Sequence, residues 1–303
     1  MPGPLNRRAR SLEEAALNMG ALYEGAPQQH FRPLATRDGD VFITSWAKSG
    51  TTLMQQMFHQ IRMVAATGEG DMDFDDISRM TPWEDTALVI DFDMNTPQRA
   101  HPRGFKSHRE YERLPAGARY VVTLRDPHET YVSFYRFFDG WHIERGALSM
   151  EEFFPMWLAG GPGGCDYVTH LLSWYARRDA PDTLLASYRW AAKNRPAMIR
   201  RLAAFMGVTL GDAQVALVEA MTTREFMSAH DDRFDDAMLC KVMEERIGVP
   251  ASGDSTKVQA VASDAGVLPA AVAAQIDALW AERVAPVTGH ADFASLAAVI
   301  DLG

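Results

Sequence analysis

The chain has 303 residues and 33.7 kDa, 47% of them hydrophobic, which is enough apolar material for a substantial core in one large domain or two modest ones. Lys and Arg total 30 against 40 Asp and Glu, and the net charge of −10 argues against a long polyanion such as DNA as the main partner. A small anion still fits wherever a few basic groups and backbone amides converge.

Two cysteines, Cys165 and Cys240, form no CxxC pair, and the N-terminus shows no basic region followed by a long apolar segment and a cleavage site. No apolar run approaches the roughly 20 residues needed to cross a bilayer. These features predict a soluble, cytoplasmic protein.

Residues 1–40 read as a variable lead-in with a helix over 11–23, where Ser11 followed by Glu14 has the capping-box spacing, and a polar turn at 37–40. Residues 41–44 read as a strand, and Leu53, Met57, Ile61 and Val64 mark a helix over 53–64. The acidic stretch 69–76 reads as a solvated rim rather than a metal site, and 83–92 as a short helix or strand. An edge of sheet is expected at 103–107 and a strand at 119–124, stopped by Arg125, Asp126 and Pro127, with an aromatic helix running to 138. Helices are expected at 149–158 and 170–177, a strand at 184–188, and a helix at 191–206 ending at Gly207. After a polar loop at 249–257, helices follow near 269–285 and 291–299. Alternating strand and helix signals imply an α/β fold with a mostly parallel β-sheet covered by helices, built as one domain over 41–303.

Three segments carry chemistry. In Ser45-Trp46-Ala47-Lys48-Ser49-Gly50-Thr51-Thr52, small residues let backbone N–H groups and the start of a helix face an anion, with Lys48 and the hydroxyls of Ser49, Thr51 and Thr52 as further donors. The lysine precedes Gly50 by two positions, so the strict GxxxxGK[ST] loop of ATP and GTP binding is not met. Arg125 at a strand end and Ser133 in the next helix suit a second anion if the fold brings them together. Between these segments, His108 has the right group to take a proton from an attacking hydroxyl or amine.

WAKSGTTL and RDPHETYVSFYRF, in this order and separation, resemble the two signatures of the PAPS-dependent sulfotransferase family of the cytosolic type, whose loop commonly reads like YPKSGTTW. The resemblance implies a P-loop-containing three-layer fold and transfer of a sulfuryl group from PAPS to a hydroxyl, or less readily an amine, of a small-molecule acceptor, with PAP as product and no metal. It makes His108 the general base, with Lys48 and Lys106 countering charge in transfer. Ser49, Gly50, Thr51 and Thr52 would hold the 5′-phosphosulfate. Arg125 and Ser133 would hold the 3′-phosphate, together with Arg246 and Gly248 at the place of a late RKG motif. Tyr188 is similar to a further family tyrosine. Leu53 stands where the family usually has a tryptophan for adenine, and Trp46 or Arg224 are the candidates to replace it. The family's dimer motif is not recognisable, which leaves a homo-oligomer to other contacts. The rival readings are an ATP-dependent small-molecule kinase and a non-enzymatic nucleotide-binding protein.

Overall fold

Four short strands, all but one of their residues buried, form the centre of the molecule: β1 (Val41–Thr44), β2 (Gly104–Ser107), β3 (Arg119–Leu124) and β4 (Thr183–Ser187). The computed structural model describes residues 4–24, 26, 28–161, 163–251, 257–258 and 267–301. The strands pair in the order β2-β1-β3-β4, every pair parallel. A parallel sheet needs helical crossovers that cover both of its faces, which is why these strands are apolar runs rather than alternating ones.

Successive side chains point to opposite faces. Phe42, Phe105, Tyr120, Val122 and Leu124 enter one core, while Val41, Ile43, Val121, Leu184 and Ala186 enter the other. The first is completed by the aromatic helix Pro127–Phe138 and by the helices Met150–Ala159 and Tyr167–Tyr175. The second is completed by the helix Thr51–Thr67, through Met54, Met57, Phe58, Ile61 and Val64, and by Arg195–Met206. At Gly104 an added Cβ would lie 2.1 Å from the Phe58 ring, so this helix sits directly on the strand.

Local sequence explains where helices start. Ser149 and Glu152 form a complete capping box ahead of Met150–Ala159. At Ser11 only half of the expected box forms: the hydroxyl accepts from Glu14 N, whereas the Glu14 carboxylate accepts from Arg10 N and pairs with Arg7. Asp166 accepts from the amides of Val168 and Thr169, starting the Tyr167–Tyr175 helix three residues before the expected position 170.

Several expectations change. The helix expected at 191–206 is two, Tyr188–Lys193 and Arg195–Met206, because Pro196 has no N–H to continue the first and suits the opening turn of the second. Residues 83–92 hold a 3-10 turn at Glu84–Thr86 rather than a regular helix or strand. The helices Asp212–Ala220, Arg224–Ala229 and Ala237–Ile247 occupy a stretch to which the sequence reading assigns no element. The helix expected at 269–285 begins as Ala270–Leu279, passes through a π turn at Trp280–Val284 and stops after Ala285–Thr288, where Gly289 has φ +77°. Of the polar loop 249–257, residues 252–256 lie outside the described residues.

The N-terminal lead-in is tied to the rest. Ala9 N donates to His142 O, Glu144 N donates to Ala9 O, and Arg246 of the Ala237–Ile247 helix reaches Leu22 O in the helix Leu12–Tyr23. Among the described residues no helix is long and apolar enough to cross a membrane.

Candidate active site

From β1 the chain crosses to β2 on one side, while β3 lies on the other. This places a topological switch point at the carboxyl ends of β1 and β3, where open α/β sheets leave a crevice. β1 ends level with β2, Thr44 beside Ser107, and β3 ends level with β4, Leu124 beside Ser187, two residues beyond the end of β1. The residues that follow are Ser45, His108, Arg125 and Tyr188, so one edge of the sheet collects candidates that are far apart in the chain. The cleft there holds ≈ 1150 Å³ of empty space, its open mouth included. Lys48, Gly50, Thr51, Thr52, Lys106, His108, Arg125, Ser133, Tyr188 and Arg224 all line it.

The loop after β1 is held from beneath by β3. Thr123 N donates to Ser45 Oγ at 2.8 Å, Ser45 Oγ donates to Thr123 Oγ1 at 2.7 Å, and Thr123 Oγ1 donates to Ser49 O at 2.8 Å. Lys48 takes a left-handed backbone, φ +65°, uncommon outside glycine, and its carbonyl accepts from Arg125 Nη1 at 2.9 Å. Gly50 follows with φ +108°, and a Cβ there would lie 2.5 Å from the Tyr188 ring. Gly50 caps the Thr51–Thr67 helix without any side-chain bond, so the first-turn amides open toward the cleft. The buried hydroxyls of Ser49 and Thr51 have no hydrogen-bond partner. Uncapped amides and unpartnered hydroxyls beside a lysine suit a phosphate or sulfate ester.

His108 lies across the cleft, 5% exposed. Its Nδ1 is 2.6 Å from the Ser45 carbonyl, which can only accept, so the proton is on Nδ1 and Nε2 keeps its lone pair. Burial, and then the neighbouring Lys106, hold the imidazole pKa well below 6.5, so at neutral pH the ring is an uncharged base. Burial, reinforced by Lys257 and Arg125, pushes the Lys48 ammonium down to about 7. Burial also lowers Lys106, against the opposing pull of Asp236.

Asp236 and Lys257, which the sequence reading does not single out, complete this wall. Asp236 Oδ1 is 3.4 Å from Lys106 Nζ and Oδ2 pairs with Lys257 Nζ. Burial works against the Asp236 charge, yet the two lysines outweigh it and hold its carboxyl below the usual range. Trp83 covers Lys106, whose Nζ is 3.3 Å from the ring centroid, and Phe134, Phe137, Phe138 and Trp141 supply the apolar side. Nothing in the linear pattern marks Asp236 or Lys257, because their partners come from β2 and the 83–86 turn.

Three expected residues, Ser49, Arg246 and Gly248, are absent from the cleft lining, and Ser49 is 1% exposed. Arg246 sits in the last turn of its helix and donates to Leu22 O at 3.1 Å, while a Cβ on Gly248 would meet the Asn6 backbone at 2.7 Å. The Ala237–Ile247 helix starts beside Lys106 at Asp236, and at 1.5 Å per residue its far end is about 16 Å away. Trp46 is equally removed from any base-stacking role. It is 1% exposed, packed on Phe134, Trp157 and Tyr167, with its indole N–H on Cys165 O. Leu53 and Arg224 do line the cleft, together with Arg195 and Thr222. Among the described residues no group of His, Cys, Asp and Glu is arranged to hold a metal ion.

Residues 38–243 match the family model of the sulfotransferase domain. Sulfotransferase 6B1 of Danio rerio is 25% identical over 203 residues, 63% of this chain and 64% of that protein. The amine sulfotransferase of Oryctolagus cuniculus is 24% identical over 196 residues, again 63% and 64% of the two chains. The match thus spans a little under two thirds of these relatives' length. Among solved structures, retinol dehydratase in complex with androsterone and the inactive cofactor PAP shares the fold, with a TM-score of 0.66 at 16% identity over 88% of this chain and 85% of that one. With more than half of its residues inside the domain model and the loops of β1, β2 and β3 meeting at one cleft, this chain belongs to the sulfotransferase family.

Proposed function

We propose that the protein transfers the sulfuryl group of PAPS to a hydroxyl on a small, largely apolar acceptor, releasing PAP. The observation that carries this reading is His108 Nε2, an uncharged lone pair in the same cleft as the uncapped 51–53 amides and Lys48. The unpartnered hydroxyl of Thr51, which lines the cleft, fits a charged ester lying close to the backbone.

In this reading the 5′-phosphosulfate lies on the 49–52 amides and hydroxyls, and Arg125 and Ser133 serve the 3′-phosphate. Leu53, Arg195, Thr222 and Arg224 line the cleft where the adenine is placed, with the Arg224 guanidinium stacked on the base. Nε2 of His108 takes the acceptor proton as the acceptor oxygen bonds to sulfur. The bond from sulfur to the bridging phosphate oxygen breaks, and the electron pair leaves on PAP. Lys48 and Lys106 meet the charge on the leaving and equatorial oxygens. The aromatic side formed by Trp83, Phe134, Phe137, Phe138 and Trp141 favours a flat or apolar acceptor over a sugar.

We read residues 41–303 as one domain with the lead-in 1–40 packed on it, and the cytoplasm as its setting, in keeping with two buried, unbridged thiols. The test is PAP release from PAPS against a panel of phenols, aliphatic alcohols, sugars and amines. Turnover with a phenol or apolar alcohol supports the reading. Tight PAP binding with no turnover across the panel moves the protein to the non-enzymatic class.

A further inference from the structure

Asp85 lies in the Glu84–Thr86 turn, outside both sequence signatures, and its side chain is 4% exposed. Its Oδ2 accepts from His108 N at 2.7 Å and from the Trp83 indole N–H at 2.8 Å. Its Oδ1 accepts from Ser107 Oγ at 3.0 Å and faces Arg109 Nε at 3.1 Å. Three hydrogen-bond donors and one guanidinium, from two separate stretches of chain, thus surround one buried carboxylate.

These contacts determine the direction of two groups that line the cleft. His108 is held at both ends, its backbone N by Asp85 and its Nδ1 by the Ser45 carbonyl. The Trp83 ring stands edge-on to His108 with centroids 5.3 Å apart and lies over Lys106 Nζ. We propose that Asp85 is a positioning residue for sulfuryl transfer, its carboxylate fixing both the backbone that carries His108 and the indole that covers Lys106. The proposal rests on the reading of His108 as the base. The two stretches are also joined by Lys106 N donating to Pro82 O at 2.8 Å, a bond that does not use the carboxylate and that keeps the turn in place in a variant.

In Asp85→Asn one oxygen becomes an NH2 group, which opposes either the His108 and Trp83 N–H groups or the Ser107 hydroxyl and the Arg109 guanidinium. Asp85→Glu keeps both acceptors. The Nδ1 proton of His108, held in a short bond to Ser45 O, is expected as a slowly exchanging downfield proton resonance. It should shift or broaden in Asp85→Asn and return in Asp85→Glu, and an unchanged resonance in the Asn variant overturns the proposal whatever the enzyme's activity. In steady-state assays, kcat should fall about 10–100-fold in Asp85→Asn, as for other groups that orient a reacting side chain, with PAP affinity within about threefold of wild type. A kcat within twofold of wild type overturns it, as does joint loss of kcat and PAP binding that the Glu variant fails to restore. If the Asn variant does not fold, Ser107→Ala removes one donor to the same carboxylate and is expected to disturb the same resonance; an undisturbed one overturns the proposal. Wild-type-like turnover by His108→Ala would instead refute the reading of the base, and the resonance still judges Asp85.

Discussion

The two walls of the cleft are built in different ways. One side is a single run of backbone, Ser45 to Leu53, in which a strand, a left-handed turn at Lys48 and Gly50 and a helix follow without interruption. The opposite side takes Trp83 from the start of a 3-10 turn, with Asp85 behind it, Lys106 and His108 from the end of β2, Phe137 from a helix after β3, and Asp236 and Lys257 from late in the chain. In the proposed reading, the difference teaches that binding a donor through backbone needs contiguous residues, whereas aiming a base and shaping an acceptor site needs side chains from many segments. Damage to the first side should therefore appear in donor affinity, and damage to the second in turnover.

The largest effect is expected where the comparison is sharpest. His108→Ala should lower kcat by about 10²–10⁴-fold, the usual contribution of a positioned base, while calorimetric PAP affinity stays within a few-fold of wild type. Equal losses in rate and affinity would erase the distinction between the walls.

Lys48 tests the anion side by pH. Its pKa is pushed down to about 7 in the free protein, so it loses its charge as pH rises through that value, whereas a bound anion favours the charged form. PAP affinity should fall above pH 7, by up to tenfold per pH unit for one linked proton, and binding at pH 8 should take up a proton, seen as a buffer-dependent calorimetric enthalpy. Lys48→Ala should bind PAP more weakly and show a smaller dependence, the remainder coming from Lys106.

Gly50→Ala attacks the run of backbone itself. A Cβ at φ +108° and 2.5 Å from Tyr188 should cost about 1–3 kcal/mol of stability, measured by denaturant unfolding, and should weaken PAP more than it changes the acceptor's KM. The smallest effect belongs to Arg246→Ala. It removes a bond to Leu22 O far from the cleft, so PAP affinity should stay within about twofold, with a stability loss near 1 kcal/mol. A tenfold loss of PAP affinity would return Arg246 to the donor site.

The sequence alone sufficed for the strand, turn and helix of the 45–53 side. The strand at 41–44, the small residues through Gly50 and the amphipathic run after it are adjacent in the chain, and a backbone cradle depends only on such local conformation. Parallel pairing follows from the alternation of strands and helices, Arg125 stands out at a strand end, and His108 is singled out by its imidazole and by the resemblance of Lys106-Ser107-His108 to a family element. Only the tertiary structure decided the opposite wall. Asp85, Asp236 and Lys257 carry no local signal, since each matters through partners brought from elsewhere in the chain. The same reason corrects Trp46 and Arg246: a tryptophan in a loop and an arginine before a glycine look available in one dimension. Packing against Trp157 and Tyr167 buries the first, and the length of a helix carries the second away from the cleft.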